Sequence, residues 1–277
     1  DGYSDVIVGA PWYENGQSEE GAAFLYYGSP AGIDIQSMVV LEQNQPGAEM
    51  GYDVATAGDI NGDGFSDVLV GIPKYDGEGA AFIYLGSNGG ISNVPSTILV
   101  SGQPGANFGA SVSTAGDVNA DGHSDILVGA TSYNHGQTDE GVAFLYLSCA
   151  QTDTVNIGCP GCPVLEGPPP TPERIAAIDT LCFDLPIILE IDMANGHFGH
   201  EVSYAGDVNA DGFSDFMVEF WDVNGIGGTY LYWGGTDSTF SSTFVPFSNN
   251  GYGNAIWHGV VAAGDLNGDG FSDISVA

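Results

Sequence analysis

The stretch Gly58-Asp59-Ile60-Asn61-Gly62-Asp63-Gly64-Phe65-Ser66-Asp67 recurs almost verbatim at residues 116–125, 206–215 and 264–273. A shortened copy, Asp1-Gly2-Tyr3-Ser4-Asp5, opens the sequence. Each copy places oxygen-bearing side chains at alternate positions of a glycine-rich turn, which is how a short loop wraps a hard cation. Asp59, Asn61 and Asp63 take positions 1, 3 and 5 of the loop. Gly64 follows at position 6, where a sharp turn calls for positive φ. Phe65 at position 7 can offer only its backbone carbonyl, and Asp67 at position 9 closes the set. The equivalent sets are Asp117, Asn119, Asp121, His123 and Asp125, then Asp207, Asn209, Asp211, Phe213 and Asp215. The last full set is Asp265, Asn267, Asp269, Phe271 and Asp273, and the short copy adds Asp1, Tyr3 and Asp5. An all-oxygen shell suits Ca²⁺, with roughly six to eight ligands at about 2.3–2.6 Å, so about four to five calcium sites are expected. Mg²⁺, which prefers a strict octahedron and keeps its water, fits less well. Zinc is disfavoured because the loops offer neither sulfur nor a recurring imidazole.

The first six loop positions match an EF-hand, which also needs Glu at position 12. Here that position is Val70, Val128, Val218 or Val276. These valines lie in apolar runs such as Asp67-Val68-Leu69-Val70-Gly71, which read as buried strands, so the loop joins strand to strand. An Asx-rich turn without metal would explain one copy, but four complete copies weigh against it.

The third loop aspartate falls at Asp63, Asp121, Asp211 and Asp269, giving intervals of 58, 90 and 58 residues. A period near 60 residues with one insertion marks a repeat architecture. Strands are expected at 52–57, 67–71, 79–85 and 97–100, separated by turns such as Ser87-Asn88-Gly89-Gly90 and Gly102-Gln103-Pro104-Gly105. Four short antiparallel strands per unit is the blade of a β-propeller. The expected fold is therefore all-β, with repeats at residues 1–50, 51–107, 108–197 and 198–256 and a partial repeat at 257–277.

Two further motifs recur at fixed offsets from the loops. One is Phe108-Gly109 and Phe198-Gly199, with Met50-Gly51 as a variant. The other is Gly9-Ala10-Pro11, Gly71-Ile72-Pro73 and Gly129-Ala130-Thr131. In these residues the sequence resembles the FG-GAP repeat family, the blades of integrin α-subunit propellers and of many bacterial surface proteins. The resemblance covers nearly the whole chain outside the insertion. It departs at Glu219-Phe220-Trp221, which replaces the second motif, and at Ile256-Trp257, which stands where the first would be. The resemblance implies a non-catalytic propeller with calcium beneath some blades, serving cell adhesion or recognition of a protein or glycan ligand. The sequence begins inside one loop and stops just after another, so it reads as an excerpt of a longer repeat protein. The same phase at both ends motivates an alternative, a structural subunit of a fibre or surface layer built from copies of itself. A polysaccharide-active enzyme is a third, weaker reading.

Lys74 and Arg174 face 36 acidic residues, for a formal charge of −34. Nucleic acid and anionic membranes would be repelled. About 14 of the acids sit in the loops, so bound divalent ions would relieve part of this self-repulsion. No stretch is long enough to span a bilayer, and direct membrane insertion is not expected. A secreted, extracellular or cell-surface setting fits these features.

The 32 extra residues of the longer interval fall between expected strands at 141–147 and 186–191, as an insertion at 148–185. It carries Cys149, Cys159, Cys162 and Cys182, the run Pro168-Pro169-Pro170, and a short expected helix from Thr171 to Ile178. Two disulfides are expected, with three pairings open. Pairing Cys149 with Cys182 would close the base of the loop and leave Cys159 with Cys162. A four-cysteine zinc site or a redox C-x-x-C pair are the alternatives, the latter lacking its βαβ setting. Strand alternation puts the insertion at the same end of the blade as the acidic loops. No nucleophile elbow, phosphate loop or metalloprotease signature is present. His197 and His200 flank Phe198-Gly199 and read as turn residues. The loops at 11–20, 73–78 and 131–140 lie at the opposite end, where recognition residues would sit.

Overall fold

The computed structural model describes residues 2–149, 183, 185–221, 227–236, 240–246 and 260–276. It is built almost wholly of antiparallel β-sheets. The first sheet holds β1 (Val6–Ala10), β2 (Ala22–Tyr26) and β3 (Met38–Leu41). The second holds β4 (Val54–Gly58), β5 (Asp67–Ile72), β6 (Ala80–Tyr84) and β7 (Thr97–Leu99). The third holds β8 (Phe108–Gly116), β9 (Asp125–Ala130), β10 (Val142–Tyr146) and β11 (Ile187–Leu189). The fourth holds β12 (Val202–Gly206), β13 (Asp215–Trp221), β14 (Gly227–Tyr232) and β15 (Ser242–Pro246). A final pair is formed by β16 (Val260–Gly264) and β17 (Asp273–Val276). Each four-stranded sheet runs in simple sequence order, the up-and-down pattern of a propeller blade. The first strands β4, β8, β12 and β16 contact one another in succession, so the sheets stand side by side.

The sequence explains why the middle strands are the most buried. In β5 (DVLVGI) and β9 (DILVGA) every residue is buried, because each sheet is covered by a neighbour on both faces. Alternate residues then serve different layers, as the two-residue strand period requires. Val68, Val70, Phe82 and Tyr84 pack toward Leu41 and Met50 of the first repeat. Leu69, Ala81 and Ile83 pack the other way, among Phe108, Val112, Ile126 and Val128. From the third sheet, Leu127, Ala143 and Leu145 meet Val202, Phe216 and Val218 of the fourth. The fourth strands are short and only half-buried, as in β7 (TIL), which suits a sheet edge.

The paired glycine motifs register one sheet on the next. Gly71 and Gly129 lie so close to the following sheet that a Cβ on them would sit 2.1 Å from the Gly109 carbonyl oxygen and 2.0 Å from that of Gly199. Gly109 and Gly199 themselves have φ of +84° and +78°, open to glycine. Beside them, parallel bridges join Gly79 to Phe108 and Gly141 to Phe198. The first motif of one repeat therefore docks on the second motif of the repeat before it. At Glu219 the fourth sheet has a side chain where the others have glycine. Burial raises its carboxyl to about 8, and the nearby Glu201 charge adds to the effect. The expected counterpart, Ile256-Trp257, lies outside the described residues.

The insertion leaves and returns at one point. Ser148 and Phe183 form an antiparallel bridge that extends the β10–β11 ladder. Cys159, Cys162, Cys182, Arg174 and the expected helix from Thr171 lie outside the described residues.

Gly71→Ala is expected to lower stability by roughly 1–3 kcal/mol, the usual penalty for overpacking. Gly89→Ala, whose Cβ would meet only Ser87 Oγ at 3.7 Å, should change it little. Chemical denaturation of both variants checks the difference, and equal midpoints would refute the close-approach account.

Candidate metal centres

Each acidic loop opens at a β-bulge. The ladder register shifts between Thr56 and Gly58, Thr114 and Gly116, Tyr204 and Gly206, and Ala262 and Gly264. The extra residue bends the first strand and releases the chain into the loop. Side-chain to backbone hydrogen bonds then curl it. Asp59 Oδ1 accepts from the Asp63 N–H at 3.1 Å and Oδ2 from the Gly64 N–H at 2.8 Å. Asn61 Oδ1 accepts from the Asp63 N–H at 3.0 Å, and Asp63 Oδ1 from the Phe65 N–H at 2.9 Å. The same bonds recur in the loops of Asp117, Asp207 and Asp265. Asp and Asn are the residues whose short side chains make such turns.

The ninth position behaves differently from the rest. Asp67, Asp125 and Asp215 are fully buried, whereas Asp59 is half-buried and Asp63 exposed. Asp67 Oδ2 accepts from the Ile60 N–H at 3.0 Å, and Oδ1 from the Gly86 N–H at 2.8 Å. Asp125 takes the Val118 and Ser148 N–H groups, each at 2.9 Å. Asp215 takes those of Val208 and Gly234 at 2.8 and 2.9 Å. In the short first copy Asp5 Oδ1 accepts from the Gly28 N–H at 2.8 Å, while Asp1 lies outside the described residues. In the last copy Asp273 Oδ2 accepts from the Leu266 N–H at 2.8 Å. The second residue after β2, β6, β10 and β14 is thus a member of the site that the loop pattern alone did not mark. Gly28, Gly86 and Gly234 hold that position, and Ser148 replaces them in the third sheet. The Ser148 hydroxyl donates to the Ser124 carbonyl at 2.8 Å, which fixes the base of the insertion at the loop end of the sheet.

Burial pushes the Asp67 carboxyl up to about 6, and the charges of Asp63 and Asp59 push the same way. Asp125 is raised to about 7 by burial, with Asp121 and Asp117 adding to it. Asp215 is raised for the same reasons. The only lysine or arginine among the described residues is Lys74, whose ammonium donates to Asn107 Oδ1 at 2.7 Å. The buried carboxylate therefore sits beside two others with no side-chain cation to balance them. Its oxygen-only neighbours fit a hard divalent ion. Among the described residues no loop brings three carboxylate oxygens within 4.8 Å of one another, so an ion would draw the first and third aspartates toward the fixed ninth-position group.

The loops touch. The Ser124 N–H donates to the Asp59 carbonyl at 3.0 Å, Ser214 to Asp117 at 3.0 Å and Ser272 to Asp207 at 3.1 Å. The His123 ring at position 7 lies over Gly62, where a Cβ would be 2.6 Å from its Cε1. Phe65 and Phe271, at the same position, are exposed. At the other end of the sheets, His197 Nδ1 lies 3.0 Å from the Thr131 carbonyl oxygen, as a turn residue would. No helix among the described residues is long and apolar enough to cross a membrane.

A family model described as FG-GAP-like repeat matches residues 59–128, one full loop-to-loop period. Integrin alpha-7 of Rattus norvegicus is 39% identical over 133 residues, 47% of this chain and 12% of its own length. Integrin alpha-3 of Mus musculus is 38% identical over 137 residues, 48% of this chain and 13% of its own. Integrin alpha pat-2 of Caenorhabditis elegans is 31% identical over 234 residues, 82% of this chain and 18% of its own. The chain thus spans between 12 and 18% of the length of these relatives. With its four-stranded sheets and recurring glycine motifs, it belongs to the FG-GAP repeat family and is integrin-α-like.

Proposed function

We propose that the chain is a calcium-binding part of an extracellular, non-catalytic recognition or adhesion protein. The observation that carries this is the ninth-position aspartate. It is a buried carboxylate held by two N–H groups, next to one half-buried and one exposed carboxylate, in a chain of formal charge −34. A divalent ion in each loop would supply the missing positive charge and pin the first two strands of the sheet. Asp59, Asn61, Asp63 and Asp67 would hold it, with the Phe65 carbonyl, and the matching residues of the other loops would do the same. Asp1, Tyr3 and Asp5 would contribute to a further site of the same kind. The adhesion reading rests on the integrin alpha relatives. A protein or glycan ligand would meet the loops at the opposite end, at 11–20, 73–78 and 131–140. An extracellular medium would provide calcium at the concentrations such sites need. Disulfides in the insertion belong to the same proposal.

Calcium removal is expected to lower the melting temperature. At about 100-fold excess over Kd, each site contributes about 2.7 kcal/mol. An unchanged melting curve in chelator would sink the proposal. Asp121→Ala should remove one ion from the stoichiometry measured by calorimetry and leave the chelated protein as stable as the parent. Asp125→Ala should also destabilise the chelated protein, because two buried N–H groups lose their acceptor at about 1–3 kcal/mol each. Equal behaviour of the two variants in chelator would contradict the separate role given to the ninth position.

Protons should compete with calcium in a defined direction. The folded carboxyls of Asp67, Asp125 and Glu219 titrate near 6, 7 and 8, above their ordinary values. The folded calcium-free protein therefore binds more protons than the unfolded chain between about pH 4 and 8. Its stability should be highest below that window and fall as pH rises through it. Calcium should restore stability at the alkaline end and bind poorly at the acid end. Melting curves across pH, with and without calcium, test this; a calcium-free protein that gains stability between pH 5 and 8 would overturn it.

A further inference from the structure

We infer that the third sheet carries a second kind of cation site, at the end opposite the acidic loops, formed by Glu140, Glu190 and Asp192. One carboxylate oxygen from each lies within 4.8 Å of the others. An ion about 2.4 Å from each oxygen spans that distance. Glu140 closes the connection between β9 and β10, and Glu190 and Asp192 follow β11. Clustered acids alone would be a solvated surface. Here Glu140 is 1% exposed, and its Oε2 is buried with no hydrogen-bond partner. Its Oε1 accepts from the backbone N–H groups of His135 and Gln137, the latter at 3.1 Å, which leaves Oε2 as the free ligand atom. A buried carboxylate oxygen without a partner is a large penalty unless something electropositive meets it. Lys74, the sole lysine or arginine described, is engaged elsewhere.

The surrounding bonds hold the other two ligands. The Asp192 N–H donates to Glu190 Oε2 at 2.7 Å, and Gln137 Nε2 donates to Asp192 Oδ1 at 3.0 Å. Asp192 has φ of +52°, which turns the chain back toward Glu140.

The first sheet supplies a comparison within the molecule. Glu20 matches Glu140, being 1% exposed with an unpartnered Oε2. Glu42 stands for Glu190, and Asn44, at φ +54°, for Asp192. There the Asn15 side-chain amide donates to both Glu42 oxygens, at 3.2 and 3.0 Å. In the third sheet His135 stands in place of Asn15. The amide that caps Glu42 is therefore absent beside Glu190, and a third carboxylate replaces an amide. The third sheet has the charge and the open oxygens of a site for a hard divalent cation, with water completing the shell. The first sheet does not.

The six residues of β9 separate this cluster from the Asp125 loop by about 20 Å, so the two are resolvable by a paramagnetic probe. The test is a Mn²⁺ titration of the whole chain followed by backbone amide line broadening. Amides of Gln137, Glu140 and Asp192 should broaden, and those of Gly122 and Asp125 report the loop independently. Glu140→Gln risks the fold, so the diagnostic variant is Glu190→Gln with Asp192→Asn, at the rim of the cluster. It should abolish broadening at Gln137 and Glu140 while Gly122 still responds. No broadening at the cluster in the parent, or undiminished broadening in the double variant, would overturn the inference. Failure at Gly122 alone would count against the loop sites and not against this one.

Discussion

A carboxylate clamped between two backbone N–H groups organises the second, third and fourth sheets of this chain. The ninth-position aspartate receives one N–H from the second residue of its own loop and one from the second residue past the third strand. It therefore ties the connection between the first two strands to the connection between the last two. The bulge before the loop, the curl within it and the exit of the third strand all meet on one buried group. Hydrogen bonds to an ionised acceptor are strong where water is excluded. The same exclusion makes the charge expensive to keep, which is why its carboxyl is pushed upward.

The fold was largely legible because each level of the sequence agreed with the others. The apolar run Val68-Leu69-Val70 predicts a strand, and the glycine-rich turns around it set the length of each element. The expected strands at 67–71, 79–85 and 97–100 correspond to β5, β6 and β7 within two residues. The meaning of the FG and GAP motifs was not legible. A glycine in a strand signals close approach, but only coordinates reveal that Gly71 faces the carbonyl of Gly109. Nor could the loop pattern identify Gly86, Gly234 or Ser148 as part of the site. They lie 19 to 23 residues from their aspartates and act through backbone N–H, which leaves no side-chain signature.

The candidate cluster at Glu140 was hidden for a related reason. Glu140 and Glu190 are separated in sequence by the insertion, and the recurrence of Glu20, Glu78 and Glu140 before a glycine does not by itself point to the acids that follow β11. What brings them together is the up-and-down order of the sheet, which sets the connection before β10 beside the chain leaving β11. Substitutions at two equivalent positions, Asn15 to His135 and Asn44 to Asp192, separate a capped pair from an open triad. Repeats of one fold can diverge in chemistry while their strands stay the same.

The hydrogen bonds that run from Ser124 to Asp59, from Ser214 to Asp117 and from Ser272 to Asp207 make the acidic loops a connected row. Each bond ends on the backbone of a residue whose side chain is a candidate ligand. An ion in one loop would fix the carbonyl that its neighbour's chain depends on, and affinity in one would then be thermodynamically linked to affinity in the next. If the loops hold ions as proposed, such a row would fill as a cooperative lattice rather than as independent sites. A chain of this kind would stiffen over a narrow range of ion concentration, as a unit longer than any single blade.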